Sequence, residues 1–343
     1  MHTSLRLLTT LVAALAAAAA PTVVLAQPGQ PGQPGHSGQL PSESRQLQPR
    51  AAQLEPVADF GSNPGALSMY RYAPDGLPAG SPVVVVLHGC GQGAADYFDG
   101  AGWQQAADTH KFAVVAPQQQ SANNATRCFN WFEPGDTSRD SGETASILRM
   151  VDHTLEAYGG DATRVHVTGL SAGGAMTASL LAAHPDRFAG GGIVAGIPYG
   201  CATSMPTAFT CMNPGATKTP EQWGDLVRAA HPGHDGRYPT VSIWHGSADY
   251  TVAAANASES VKQWTNAHAT DQEPDATAEL PGDTVRNDYT DASGATVVRD
   301  YRVAGMGHGT PVRPAENCGT AGTYFLDRIC STGQLVTDWG IGS

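Results

Sequence analysis

Basic residues are scarce in this chain of 343: 19 Lys and Arg stand against 31 Asp and Glu, a formal net charge of −12. A surface of that sign repels phosphate backbones, and no basic stripe offsets it, so nucleic acid is excluded as a partner. Charge of either sign is low at 15%, and the 40 Gly and 24 Pro imply a loop-rich, extracellular type of surface rather than a helical bundle. Long apolar runs are missing with one exception. Arg6 precedes the apolar stretch 7–20, and Val24-Leu25-Ala26 follows. That is the pattern of an export signal cleaved after Ala26. No later segment is apolar enough to cross a bilayer, so the mature chain is expected to be secreted, with no stable membrane insertion. The H-E-x-x-H motif is absent. His231-Pro232-Gly233-His234-Asp235 holds ligand-type residues, but Pro and Gly break any helix that could align the two imidazoles. No G-x-G-x-x-G opens the first strand, which removes the dinucleotide reading. No metal and no cofactor are expected.

Six cysteines remain after the signal. An even number fits disulfides in an oxidising compartment, although six allow 15 pairings. Three Gln-Pro-Gly triplets follow the signal. They disfavour helix and sheet and offer nothing apolar to bury, so residues 27–53 are expected to form a disordered tether. Residues 54–343 are expected to form a single domain, with no feature that assigns an oligomeric state.

Within that domain, 83–87 (Val-Val-Val-Val-Leu) is a continuous β-branched run, the mark of a strand buried on both faces. Residues 112–116, 165–168, 190–195 and 241–244 are further strands of this kind, the fourth weaker than the others. Helical stretches at 103–110, 142–158, 172–184 and 256–267 lie between or after them, and 285–289 with 296–303 form a hairpin. Buried strands alternating with helices predict an α/β fold with a mostly parallel, doubly wound sheet.

The strand 165–168 runs into Gly169-Leu170-Ser171-Ala172-Gly173-Gly174 and then a helix. G-x-S-x-G in a strand–turn–helix setting is the nucleophile elbow of an α/β hydrolase, which makes Ser171 the candidate nucleophile. A Cβ at Gly169 or Gly173 would collide with the neighbouring strand or helix. In this fold the acid and the base follow the nucleophile in the order Ser, acid, His. Asp249 lies just past strand 241–244 and is the candidate acid, ahead of Asp235 and Asp300, neither of which follows a buried strand end. His308, between Gly307 and Gly309 after the last strand, is the candidate base. The backbone N–H of Ala172 and that of Cys90, in the loop after strand 83–87, are the candidate oxyanion donors.

Six motifs in this order are similar to extracellular polyhydroxybutyrate depolymerase catalytic domains. They are Leu87-His88-Gly89-Cys90-Gly91-Gln92, Cys128-Phe129-Asn130-Trp131-Phe132, the Ser171 elbow, Pro198-Tyr199-Gly200-Cys201, Gly246-Ser247-Ala248-Asp249 and Gly307-His308. The resemblance covers about residues 65–330, follows the type 1 arrangement with the His-Gly-Cys loop before the Ser, and extends to acetylxylan and feruloyl esterases. It implies a serine esterase acting on short-chain polyesters, with plant cell-wall esters as the alternative substrate class. It also implies disulfides Cys90–Cys128, Cys201–Cys211 and Cys318–Cys330. With Cys90 so tied, Trp131 becomes a candidate for the acyl cleft, a core position being its alternative, and Tyr199 a second cleft candidate. His88 is expected to support the loop. Many depolymerases carry a C-terminal polymer-binding domain, and none is expected after this one; amorphous polymer, oligomers and soluble esters are therefore the expected substrates rather than crystalline polymer.

Overall fold

The computed structural model describes residues 54–342. The expected export signal (1–26) and tether (27–53) lie outside the described residues.

Ten strands form one sheet: β1 (Glu55–Val57), β2 (Ser68–Tyr72), β3 (Val83–Leu87), β4 (Ala113–Gln118), β5 (Val165–Leu170), β6 (Gly190–Val194), β7 (Thr240–Gly246), β8 (Ala276–Leu280), β9 (Thr284–Thr290) and β10 (Thr296–Val303). Their order across the sheet is β1-β2-β4-β3-β5-β6-β7-β10-β9-β8. From β4 to β10 every neighbouring pair is parallel. The edges are antiparallel, β1 and β2 at one side and the β8–β9–β10 meander at the other. A two-stranded ribbon, β11 (Thr310–Val312) with β12 (Phe325–Asp327), follows the main sheet.

Helices α1 (Ala94–Gly100), α2 (Trp103–His110), α3 (Pro134–Thr137), α4 (Gly142–Tyr158), α5 (Ala172–Ala183), α6 (Met205–Met212), α7 (Pro220–Ala230), α8 (Ala255–Ala267) and α9 (Ser331–Asp338) cover both faces. Successive strand side chains point to opposite faces, and the β-branched run of β3 divides accordingly. Val83, Val85 and Leu87 join one core with α4, α5, α7 and α8, through Ile147, Met176, Val227 and Trp264. Val84 and Val86 join a second core with Tyr97, Trp103 and Leu335 of α1, α2 and α9. Burial on both faces is what an unbroken apolar strand requires.

The weak strand signal at 190–195 has a packing cause. A Cβ at Gly190 would lie 2.5 Å from Thr240 Oγ1, at Gly191 2.6 Å from Leu181, and at Gly192 2.6 Å from Leu335. Glycine lets helices α5 and α9 approach β6 closely, and its side-chain pattern is lost in exchange. No helix among the described residues is long and apolar enough to cross a membrane.

Candidate active site

Strands β3, β5, β7 and β10 end at the same edge of the parallel sheet, and each is followed by a loop carrying one part of the site. After β5 the chain turns sharply into α5 at Ser171, whose backbone sits at φ 60°, ψ −118°. An L-residue reaches that region only at a cost in strain, which the surroundings must hold. They do so by close approach. A Cβ at Gly169 would lie 2.5 Å from Gly173 C, and one at Gly173 would lie 2.3 Å from Leu87 O. The Ser171 N–H donates to Val194 O at 2.9 Å. Ala172 opens α5, so its N–H is one of the helix's unpaired first donors, at the positive end of the dipole.

The loop after β3 is braced at almost every amide. Gly89 N–H donates to Gln92 Oε1 (2.8 Å). Gly91 N–H donates to Thr126 O (2.8 Å), and Gln92 N–H to Gly89 O (3.2 Å). The Cys90 amide donates to no group among the described residues. Cys90 is joined to Cys128 by a disulfide. His88 is fully buried beneath the loop. Gln119 N–H donates to its Nε2 at 3.1 Å, so the ring proton is on Nδ1, which donates to Gly89 O at 2.8 Å. Burial lowers its pKa to about 4, so the ring is neutral and structural. Gln119 Nε2 in turn donates to Cys128 O at 3.0 Å and to the buried carboxyl group of Glu143. The other two disulfides join Cys201 to Cys211 and Cys318 to Cys330.

Asp249 follows β7 and is buried. Its Oδ1 accepts the N–H groups of Thr251 (2.9 Å) and Val252 (3.0 Å). Its Oδ2 accepts His308 Nδ1–H at 2.7 Å. Burial alone would raise this carboxyl, but hydrogen bonds from His245 and His308 outweigh it and hold the group far below the usual carboxylate range. The His245 contact was not visible in the sequence. Its Nε2 lies 3.3 Å from Asp249 Oδ2 and 2.9 Å from Val252 O, so one N–H serves both acceptors. A His four residues before the acid, at the end of the same strand, was the available signal. The loops bearing Asp249 and His308 are laced together: Ser247 N–H to Val303 O (3.0 Å), Ala248 N–H to Met306 O (3.0 Å), and Gly305 N–H to Ser247 Oγ (2.9 Å).

Ser171, His308 and Cys90 line one cleft of about 150 Å³, together with Gly89, Gln92, Leu170, Met212, Thr251 and Tyr324. Trp131 and Tyr199 lie outside this lining. Trp131 is a core residue, packed edge-on against Phe132 at 5.4 Å. The Tyr199 backbone is held on both sides by the Gln263 amide, and its ring packs against the same core. The apolar wall is instead Met212 and Tyr324, from segments with no motif around them. The weaker acid candidates are elsewhere: Asp300 is buried in β10, bonded to Arg302 at 2.7 Å, and Asp235 lies on the loop after α7. His231 lies 3.7 Å from Asp186, and among the described residues no cluster of His, Cys, Asp and Glu could hold a metal ion.

Residues 67–279 match the family described as Esterase PHB depolymerase. The chain belongs to the esterase PHB depolymerase family. Among curated relatives of this family member, poly(3-hydroxyalkanoate) depolymerase C of Paucimonas lemoignei is 52% identical over 292 residues, covering 84% of this chain and 70% of the relative. Feruloyl esterase B of Thermothelomyces thermophilus is 38% identical over 223 residues, covering 63% and 75%. Acetylxylan esterase of Coprinopsis cinerea is 34% identical over 267 residues, covering 76% and 70%. Among solved structures, the acetyl xylan esterase from Aspergillus awamori superposes on this PHB-depolymerase-family chain with a TM-score of 0.72 at 25% identity, covering 84% of the chain and 99% of that structure. The fold is that of an α/β hydrolase.

Proposed function

We propose that this chain is a secreted serine esterase that hydrolyses short-chain aliphatic polyesters, such as poly(3-hydroxybutyrate) and its oligomers, through an acyl-enzyme. The observation that carries the chemistry is the 2.7 Å bond from His308 to a buried, ionised Asp249, with His308 and Ser171 lining the same cleft. His308 Nδ1–H is committed to the acid, which leaves Nε2 to take the proton of the Ser171 hydroxyl as that oxygen attacks the ester carbonyl. The carbonyl oxygen becomes an oxyanion, held by the N–H groups of Cys90 and Ala172. His308 returns the proton to the leaving alcohol. Water then attacks the acyl carbon as it gives a proton to His308, and the acid is released as His308 passes that proton to the Ser171 oxygen. Asp249 keeps the ring oriented and stabilises it when charged.

The choice of substrate rests on the 52% relative named as a poly(3-hydroxyalkanoate) depolymerase. The feruloyl and acetylxylan esterases among the relatives define the second reading. Export is supported by the N-terminal signal pattern and by three disulfides, which persist in oxidising compartments. The purified mature chain should clear an emulsion of amorphous polyhydroxybutyrate and turn over methyl ferulate and acetylated xylan poorly. Failure to clear the emulsion, with turnover of either plant ester, would replace the first reading with the second.

A further inference from the structure

Helix α6 carries Met205, Phe209 and Met212 at i, i+4 and i+7, which places all three along one face. Ala208 and Cys211 turn inward and are buried, whereas Phe209 is 64% exposed and Met205 44% exposed. The helix is firmly held. Cys211 is bonded to Cys201, and Met212 O accepts from Ala253 N–H at 2.8 Å and Asn256 Nδ2 at 3.2 Å. Asn213 Nδ2 donates to the backbone oxygen of Tyr250 at 2.7 Å, and Tyr250 is 85% exposed. Large apolar side chains held out into water on a pinned helix mark a recognition surface.

The two ends of the stripe lead to two hollows. Met212 lines the cleft that holds Ser171 and His308. Met205 lines a second, wider groove of about 380 Å³, with Asn123, Asn124, Thr126 and Phe132 and with Glu133 as its one charged residue. The Cys90–Cys128 bridge separates the two hollows: Cys90 faces the cleft, and Thr126, 3.1 Å from Cys128 Sγ, faces the groove. No charged residue occurs between Arg187 and Lys218, in a chain of net charge −12.

We propose that the Met205–Phe209–Met212 face of α6, with Tyr250 beside it, is a rail that binds the polyester chain beyond the scissile ester and leads it from the cleft toward the second groove. This rests on the polyester reading of the cleft. The stripe is continuous with the cleft, so whatever extends from the bond being cut on that side lies over it. Its chemistry suits an aliphatic polyester, which is uncharged, offers acceptors but no donors along its length, and loses little on leaving water. Seven residues of helix span about 10 Å. A hydroxyalkanoate unit has one backbone bond more than a peptide unit of 3.8 Å, so the rail covers about two units.

The test compares wild type with Phe209→Ser and Phe209→Leu on p-nitrophenyl butyrate, which has no chain to reach the rail, and on the 3-hydroxybutyrate hexamer. Phe209→Ser should keep kcat/KM for p-nitrophenyl butyrate within twofold and raise KM for the hexamer about tenfold, with Phe209→Leu restoring most of the difference. Equal losses on both substrates, or an unchanged hexamer KM, would overturn the rail while leaving the polyester reading intact. A wild-type enzyme that turns over p-nitrophenyl butyrate but not the hexamer would overturn the polyester reading itself, and the rail with it. If acetylated xylan or methyl ferulate, rather than the hexamer, shows the selective loss, the occupant is a different chain and the proposal fails.

Discussion

The two walls of the cleft are built by different means. The proposed oxyanion wall, the loop after β3, is stapled by Cys90–Cys128 and braced from below by neutral His88, Gln119 and Glu143. The proposed acid–base wall consists of the two loops that carry Asp249 and His308, laced by main-chain and side-chain hydrogen bonds with no covalent link between them. The difference matches the tasks. An amide donor stabilises charge by being in place before the charge forms. An imidazole must take a proton, carry it and give it back twice in each turnover. A covalent staple holds the loop where the dipoles are fixed, and hydrogen bonds hold the loops where the proton moves.

Substitutions at the two walls should therefore fail differently. The largest effect belongs to neither wall: Ser171→Ala should lower kcat for p-nitrophenyl butyrate by about a million-fold, with the fold intact by circular dichroism. On the acid–base wall, Asp249→Asn should cost about 10⁴-fold in kcat at neutral pH, because the ring loses the partner that sets its tautomer. On the oxyanion wall, replacing Cys90 and Cys128 together by Ala should lower kcat by about 100-fold with little change in KM. The same variant should lose about 4 kcal/mol of stability, since the bridge closes a long loop. A double variant with wild-type kcat would show that the staple does not set the donor, and the contrast between the walls would collapse.

His245 sharpens the comparison. It is the buried donor that supports Asp249 from behind. His245→Leu should reduce kcat about tenfold by removing one charge-assisted hydrogen bond, and should shift the acid limb of the pH–rate profile, which a purely packing role would not. The smallest effect is on stability against pH. Burial lowers His88, His184 and His268 to about 4 and His166 to about 3. All four are neutral when folded, so the unfolded chain binds the extra protons. Their contribution is complete above pH 6.5 and is lost as pH falls toward 4. Glu143 runs the other way: burial pushes its carboxyl up to about 8, so its contribution fades as pH rises from about 4.5 to 8. Of these four imidazoles and one carboxyl, the imidazoles prevail and predict a urea midpoint that falls on acidification below pH 6.5. A midpoint that holds or rises would mean that most of the buried rings are already protonated in the folded state.

What could be read from the sequence depended on whether local chemistry carried the constraint. The parallel strands were visible because burial on both faces demands β-branched runs, as in Val83–Leu87. The elbow was visible because Ser171 needs glycines around it. Strand β8 was not, since its residues lie at an exposed sheet edge and carry no apolar pattern. Helices α1, α6, α7 and α9 are short or interrupted by small and polar residues. Trp131 illustrates a different limit. The Cys128 neighbourhood was expected to turn this side chain toward the substrate, but Asn130 N–H donates to buried Glu143, and the ring next in line packs into the core. Met212 and Tyr324 reach the cleft only through tertiary packing, whereas Thr251 enters it as the near neighbour of Asp249.

The parts of the site occur along the chain in the order in which their strands lie across the sheet: the loop after β3, Ser171 after β5, Asp249 after β7 and His308 after β10. The proposed base, His308, is thus the last of these parts to emerge during synthesis, and it reaches Asp249 only once β10 has paired with β7. On that assignment, a growing chain that already displays Ser171 has nothing to activate it. Esterase activity in this molecule is therefore a report on its own completion, appearing only when the final third of the chain has found its place.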